Sequence, residues 1–180
     1  SIKIEILFCV FCGCTFLYQF SIMTLINNFD DYIRNAGLDA KKYQREGVEW
    51  TLKNETTATP LNNVRGGLIA DEMGLGKTIM MIGTIVSNPL HRTLIVVPLA
   101  LIDQWKSEIE RTTDITPLIW HTTTKKKIED EELAAAEIVI TTYGHIQSTK
   151  KKTFNIIHEI NWGRVIFDEG HHLRNPKTNK

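Results

Sequence analysis

Asp71-Glu72-Met73-Gly74-Leu75-Gly76-Lys77-Thr78 is the stretch on which the reading of this chain turns. It follows Gly67-Leu68-Ile69-Ala70 and precedes the apolar helical pattern of Ile79 to Val86. The three pieces read as a strand, a glycine-bearing loop and a helix. A phosphate chain carries several negative charges, so a pocket for it needs many donors and little side-chain bulk. Backbone N–H groups at a helix N-terminus supply the donors, and Gly74 and Gly76 let the loop bend around the phosphates. Lys77 is then placed for the β and γ phosphates, and the Thr78 hydroxyl for a magnesium ion. The strict pattern G-x-x-x-x-G-K-[ST] is missed at one position, where Asp71 replaces the first glycine. A surface loop that merely contains Gly, Lys and Thr is the competing reading; the strand before and the helix after argue against it.

The order of elements around this loop points to an α/β fold. Thr93 to Val97 is a short β-branched run closed by Pro98, which reads as a buried strand. Ile102, Trp105 and Ile109 then fall at helical spacing. Strand, helix, strand, helix is the signature of a mostly parallel sheet with crossover helices. Pro117 to His121 and Ile138 to Thr141 are further strands. The second of these ends in Thr142, Tyr143 and Gly144, whose hydroxyls and backbone amides at a strand's C-terminal edge are suited to a nucleic-acid phosphate. Upstream, a helical pattern begins at Asp39, with Tyr43, Gly47 and Trp50 on one face and Val48 and Leu52 close by. Asn54 to Asn63 is a polar connection. Gln44 carries a side-chain amide that donates and accepts together, as reading an adenine edge requires, although one glutamine alone is more often solvent-exposed.

The loop needs a partner, and Arg164-Val165-Ile166-Phe167 runs straight into Asp168-Glu169-Gly170-His171. Two carboxylates at the C-terminal end of a buried strand stand where open α/β sheets place their ligands. In a phosphate-loop ATPase the first acid holds magnesium through water, and the second orients and deprotonates the attacking water. Asp168 and Glu169 therefore complement Lys77 and Thr78.

With 180 residues there is room for one sizeable domain, and a formal net charge of zero advertises no global basic field. The basic runs Lys125 to Lys127 and Lys150 to Lys152 read as solvated surface, the first being answered at once by Glu129 to Glu132. Cys9, Cys12 and Cys14 resemble a fragment of a zinc knuckle, but lack further ligands and read as small apolar fillers. Ile6 to Phe29 carries no charge, yet its dense apolar part is a dozen residues, shorter than the roughly 20 that span a bilayer. Residues before Met23 are expected to be upstream translated sequence or the remainder of something cut away. Residues 1–38 are accordingly set apart from a domain at 39–180, and no stable membrane partner is expected.

DEMGLGKT, LIVVPLALIDQW, TTY and FDEGHHLRNP, in that order behind YQREGVEW, resemble the first RecA-like lobe of the Swi/Snf-related DNA translocases, a family of superfamily-two helicase-like ATPases. The finer wording looks closest to the branch containing helicase-like transcription factor. The resemblance covers roughly Asp39 to the C-terminus and implies a three-layer αβα phosphate-loop NTPase lobe. It implies ATP and Mg2+ as cofactors, Gln44 and the loop Asp71, Glu72, Met73, Gly74, Leu75, Gly76, Lys77 and Thr78 as nucleotide ligands, and Thr78 and Asp168 as metal ligands. Lys77, Asp168, Glu169 and His171 are the implied catalytic set, with His171 linking nucleotide state to a second lobe. Pro98 to Trp105 and Thr141 to Tyr143 match segments that grip the DNA backbone.

The implied activity is ATP-driven movement on double-stranded DNA, displacing nucleosomes or other DNA-bound proteins, in a nucleus or at a site of viral replication. A strand-separating helicase and a non-catalytic nucleotide-binding remnant are the alternatives. The second lobe supplies an arginine worth about 10³–10⁵-fold in rate where such fingers are tested, so this chain alone is expected to bind nucleotide weakly and hydrolyse it hardly at all.

Overall fold

A computed structural model of the chain describes residues 6–10, 21–39, 41–57, 65–72, 74–121, 130–146 and 156–173. The elements in chain order are β1 (Ile6–Val10), α1 (Ile22–Asn35), α2 (Lys42–Thr56), β2 (Arg65–Ile69), α3 (Lys77–Ser87), β3 (Thr93–Val97), α4 (Ile102–Thr112), β4 (Leu118–Ile119), α5 (Asp130–Ala135), β5 (Ile138–Thr142), α6 (Tyr143–Ile146) and β6 (Arg164–Phe167). Met73, Cys12, Cys14, both lysine runs and the chain beyond Leu173 lie outside the described residues.

Among the described residues the strands form one sheet in the order β2-β1-β6-β3-β5-β4. β6, β3, β5 and β4 are mutually parallel, as the alternation of strands and helices requires. β3 is the hinge of this order. β4 and β5 lie to one side of it and β6 to the other, the switch in strand order beside which open α/β sheets place their ligands at the C-terminal edge. β1 lies antiparallel between β2 and β6, with Phe8 opposite Gly67 on one side and Ile166 on the other. The apolar N-terminal run, to which the sequence reading assigned no element, thus contributes a central strand.

Both sheet faces are covered. Ile95 and Val97 of β3 point into a core built with Leu25 and Phe29 of α1, Val48 and Leu52 of α2, Met80 and Met81 of α3 and Trp105 and Ile109 of α4. Leu94 and Val96, pointing the other way, meet Leu133 of α5, Tyr143 and Ile146 of α6, and Ile157 and Trp162. Burial on both sides is why β3 and β5 read as unbroken apolar runs rather than alternating ones. A lobe with helices on either face of a mostly parallel sheet, the RecA-like arrangement, is the result.

Helix α1 owes its position to an apolar stripe, Leu25, Ile26, Phe29, Tyr32 and Ile33, at the spacing of one helical face, and to Ser21, whose hydroxyl accepts from the Thr24 N–H at 3.3 Å. It packs so closely on α3 that a β-carbon on Gly83 would stand 2.5 Å from the Phe29 ring. The Arg45 guanidinium grips Asp30 at 2.9 and 3.0 Å and ties α1 to α2. On α2 the core face is Val48, Thr51, Leu52 and Glu55, whereas Tyr43 and Trp50 are exposed. Trp50 instead lies over Gly67 at the sheet's edge and meets Phe8 edge-on, so the face read from Tyr43, Gly47 and Trp50 is rotated from the true one. No described helix is long and apolar enough to cross a membrane.

Candidate nucleotide and metal site

The loop between β2 and α3 turns on two left-handed residues, Gly74 at φ 81° and Gly76 at φ 75°, a conformation that disfavours any side chain. At Gly76 there is no room for one either, because a β-carbon would collide with the Gln44 amide nitrogen. α3 starts at Lys77 and is eleven residues long, and its first N–H groups have no partner within the helix. The Met80 N–H closes the first helical bond onto the Gly76 carbonyl.

Lys77 is 6% exposed. Its Nζ donates to the carbonyls of Asp71 at 2.8 Å and Glu72 at 2.6 Å, which folds the ammonium across the mouth of the loop. Burial pushes the Lys77 pKa down, and the charges of Asp71, Asp168 and Glu169 act against that shift. Thr78, one residue on, is half-buried. Gln44 stitches the first turn of α2 to the loop. Its Nε2 donates to the Leu75 carbonyl at 3.0 Å, and its Oε1 accepts the Lys41 N–H at 2.9 Å.

The acid pair continues β6. The Asp168 N–H donates to the Val96 carbonyl at 2.9 Å, extending the ladder to β3. Its side chain is 5% exposed, with Oδ2 accepting the Trp105 indole N–H at 2.7 Å and Oδ1 accepting the Glu169 N–H at 2.8 Å. Burial raises the Asp168 pKa, while these two donors and the Lys77 charge pull it back. Lys77 and Asp168 therefore lie within electrostatic reach of each other. Glu169 sits at φ 56°, a left-handed conformation uncommon outside glycine and a recurrent mark of functional sites. Its Oε2 lies 3.1 Å from Nδ1 of His171.

Two hydroxyls of the run Thr141 to Tyr143 bond within the lobe. The Tyr143 hydroxyl turns inward and donates to the Asp168 carbonyl at 2.6 Å, and burial, reinforced by the charges of Asp168 and Glu169, raises its pKa. The Thr141 hydroxyl likewise donates to the Trp120 carbonyl at 2.8 Å. Both residues are buried, Thr141 at the end of β5 and Tyr143 at the start of α6. Trp105 reaches the acid pair although its helical spacing marked it only as core. A buried indole N–H needs an acceptor, which sequence signals without saying which.

Among the described residues no three His, Cys, Asp or Glu side chains cluster as a metal cage. A buried carboxylate whose charge acts on the lysine of a phosphate loop suits magnesium instead, which keeps most of its waters and takes its remaining ligands from substrate phosphates. The glycine cradle, the folded-over lysine and the carboxylate with unspent lone pairs fit a magnesium–nucleoside triphosphate.

A family profile described as SNF2-related domain matches residues 43–180. The chain is 31% identical over 160 residues to the DNA repair protein RAD5B of Arabidopsis thaliana, covering 68% of this chain and 12% of that protein. It is 30% identical over 152 residues to nuclear protein STH1/NPS1 of Saccharomyces cerevisiae, covering 79% and 10%. It is 32% identical over 144 residues to the probable global transactivator of Orgyia pseudotsugata multicapsid polyhedrosis virus, covering 76% and 28%. The chain thus spans between about a tenth and just over a quarter of the length of these relatives.

Proposed function

The chain belongs to the SNF2-related family, and from that membership and the geometry of its phosphate loop we propose that it is the nucleotide-binding lobe of a DNA-dependent ATPase that moves along double-stranded DNA. The observation that carries the reading is that Lys77, which opens the helix after the phosphate loop, and Asp168, which continues β6, are both buried and lie within electrostatic reach of each other. Mg–ATP supplies the bond that is cleaved and the metal charge that offsets the departing phosphates. Asp71 to Thr78 cradle the phosphates through backbone N–H groups, and Lys77 binds them by charge. Thr78 and Asp168 hold the metal. Glu169 orients the attacking water and takes its proton. His171, paired with Glu169, relays the state of that carboxylate to a second lobe, and Gln44 reads the adenine.

Support for DNA as the partner comes from the relatives, whose names include DNA repair and nuclear proteins. By the same token a nucleosome or other DNA-bound protein is the displaced load, and a nucleus or a viral replication site the setting. DNA contacts of this kind go to the backbone, so binding is sequence-tolerant and weakens steeply with salt. Equilibrium binding of a fluorescent ATP analogue to this chain tests the reading. Lys77→Ala, which removes charge-assisted bonds worth about 1.5–3 kcal/mol, is expected to weaken affinity roughly ten- to a hundredfold. Unchanged affinity in a folded Lys77→Ala chain overturns it.

A further inference from the structure

Resting on that reading, we propose that Trp105 is a positioning residue for the metal site: its indole N–H fixes the Asp168 carboxylate and ties the placement of α4 to metal binding. Trp105 is 1% exposed, and the indole N–H is its only polar group. It is spent at 2.7 Å on Asp168 Oδ2, across 63 residues of sequence. A neutral acceptor would satisfy an indole equally well. The choice of a carboxylate places a charge-assisted bond on a buried acid whose charge also acts on Lys77.

Asp168 is held from every side. The Val96 carbonyl takes its N–H, the Tyr143 hydroxyl holds its carbonyl, and the Glu169 N–H occupies Oδ1. With Trp105 on Oδ2, the carboxylate plane is fixed and one lone-pair direction on each oxygen stays available. Partners of this kind orient a ligand carboxylate, and their loss typically costs about 10–100-fold in metal affinity. Trp105 lies one turn into α4, which follows the Leu99–Leu101 turn at the end of β3. Any displacement of that segment, on which a DNA strand is proposed to bear, moves the donor that aims Asp168.

The test reads ATP affinity in Mg2+ and in EDTA, for the wild-type chain, for Trp105→Phe, and for a chain carrying 3-benzothienyl-alanine at 105, which keeps the indole's shape and loses only the N–H. The wild-type chain binds ATP more tightly with Mg2+. Both substitutions are expected to reduce that Mg2+-dependent gain about tenfold or more while leaving affinity in EDTA within twofold, and the sulfur isostere is expected to keep the wild-type unfolding temperature. A purely structural role for Trp105 lowers both affinities together. Should Trp105→Phe fail to fold, the isostere decides alone. A full Mg2+-dependent gain in the folded isostere overturns this inference and leaves the proposed function standing, whereas a wild-type chain without any such gain removes both.

Discussion

The two ends of β6 each carry a deeply buried charge, Arg164 and Asp168, and they are solved in opposite ways. At the start of the strand, Arg164 donates from Nε to Glu55 Oε1 at 2.6 Å, and from Nη2 to Glu55 Oε2 at 2.7 Å and the Asn88 carbonyl at 2.8 Å. The Asn88 amide closes the ring onto Glu55 at 3.0 Å. Charge meets charge directly and α2, α3 and β6 are bolted together. At the other end, four residues on, Asp168 makes no direct ion pair among the described residues. The facing Lys77 spends its protons on loop carbonyls instead. A closed cluster has no capacity left for anything else. An open one, with burial pushing a lysine toward neutrality and an acid toward protonation, carries an electrostatic cost that the proposed magnesium–phosphate group would relieve.

The sharpest way to break this comparison is at the closed end. Glu55→Gln keeps the shape and strands Arg164, and removing one partner of a buried pair costs about 3–5 kcal/mol. Urea unfolding is expected to show a loss of that size, and a loss below 1 kcal/mol would mean that the cluster is not the bolt described here. Gly83→Ala probes the seating of α1 on α3, which supports the loop from behind. The new methyl meets the Phe29 ring, and overpacking of about 1–3 kcal/mol outweighs the roughly 1 kcal/mol gained in helix propensity. Melting is expected to shift down by a few degrees, and an upward shift would show that the two helices have room to part.

The smallest effect is a pH signature of the open end. Asp168 holds its proton more tightly folded than unfolded, so its contribution to stability falls as pH rises from the ordinary 3.8 through its higher folded value. Lys77 has the opposite sign. Its folded pKa is lowered, the unfolded chain binds more protons between that value and 10.5, and stability rises with pH across that window. Subtracting the Asp168→Asn curve from wild type isolates the first slope, and the Lys77→Met curve the second. A flat difference in either window contradicts the open-site description.

The site end of the molecule was far more legible in sequence than the closed end. β2, the loop and α3 are written in one continuous stretch, because glycines, a lysine and a threonine at fixed spacing have few other uses. The run Arg164 to Glu169 announces a strand delivering two acids in the same local way. Arg164 itself was read only as the start of an apolar strand and Glu55 as part of a polar connection, since their pairing spans 109 residues and no local pattern encodes it. β1 was missed for a similar reason. An uncharged apolar run is compatible with core, membrane or discarded sequence until partners for its backbone are known, and those partners lie in β2 and β6. Tyr143 shows the limit at single-atom level, because no local pattern says that its hydroxyl donates to the Asp168 carbonyl, 25 residues away.

The convergence of the loop and the acid pair on one magnesium–nucleotide is tested most directly by titrating ATP, in Mg2+ and again in EDTA, into the wild-type chain and into Asp168→Asn. The account predicts a Mg2+-dependent gain in affinity of about tenfold or more for wild type, absent in Asp168→Asn, with the two chains alike in EDTA. A folded Asp168→Asn chain that keeps the full gain contradicts it.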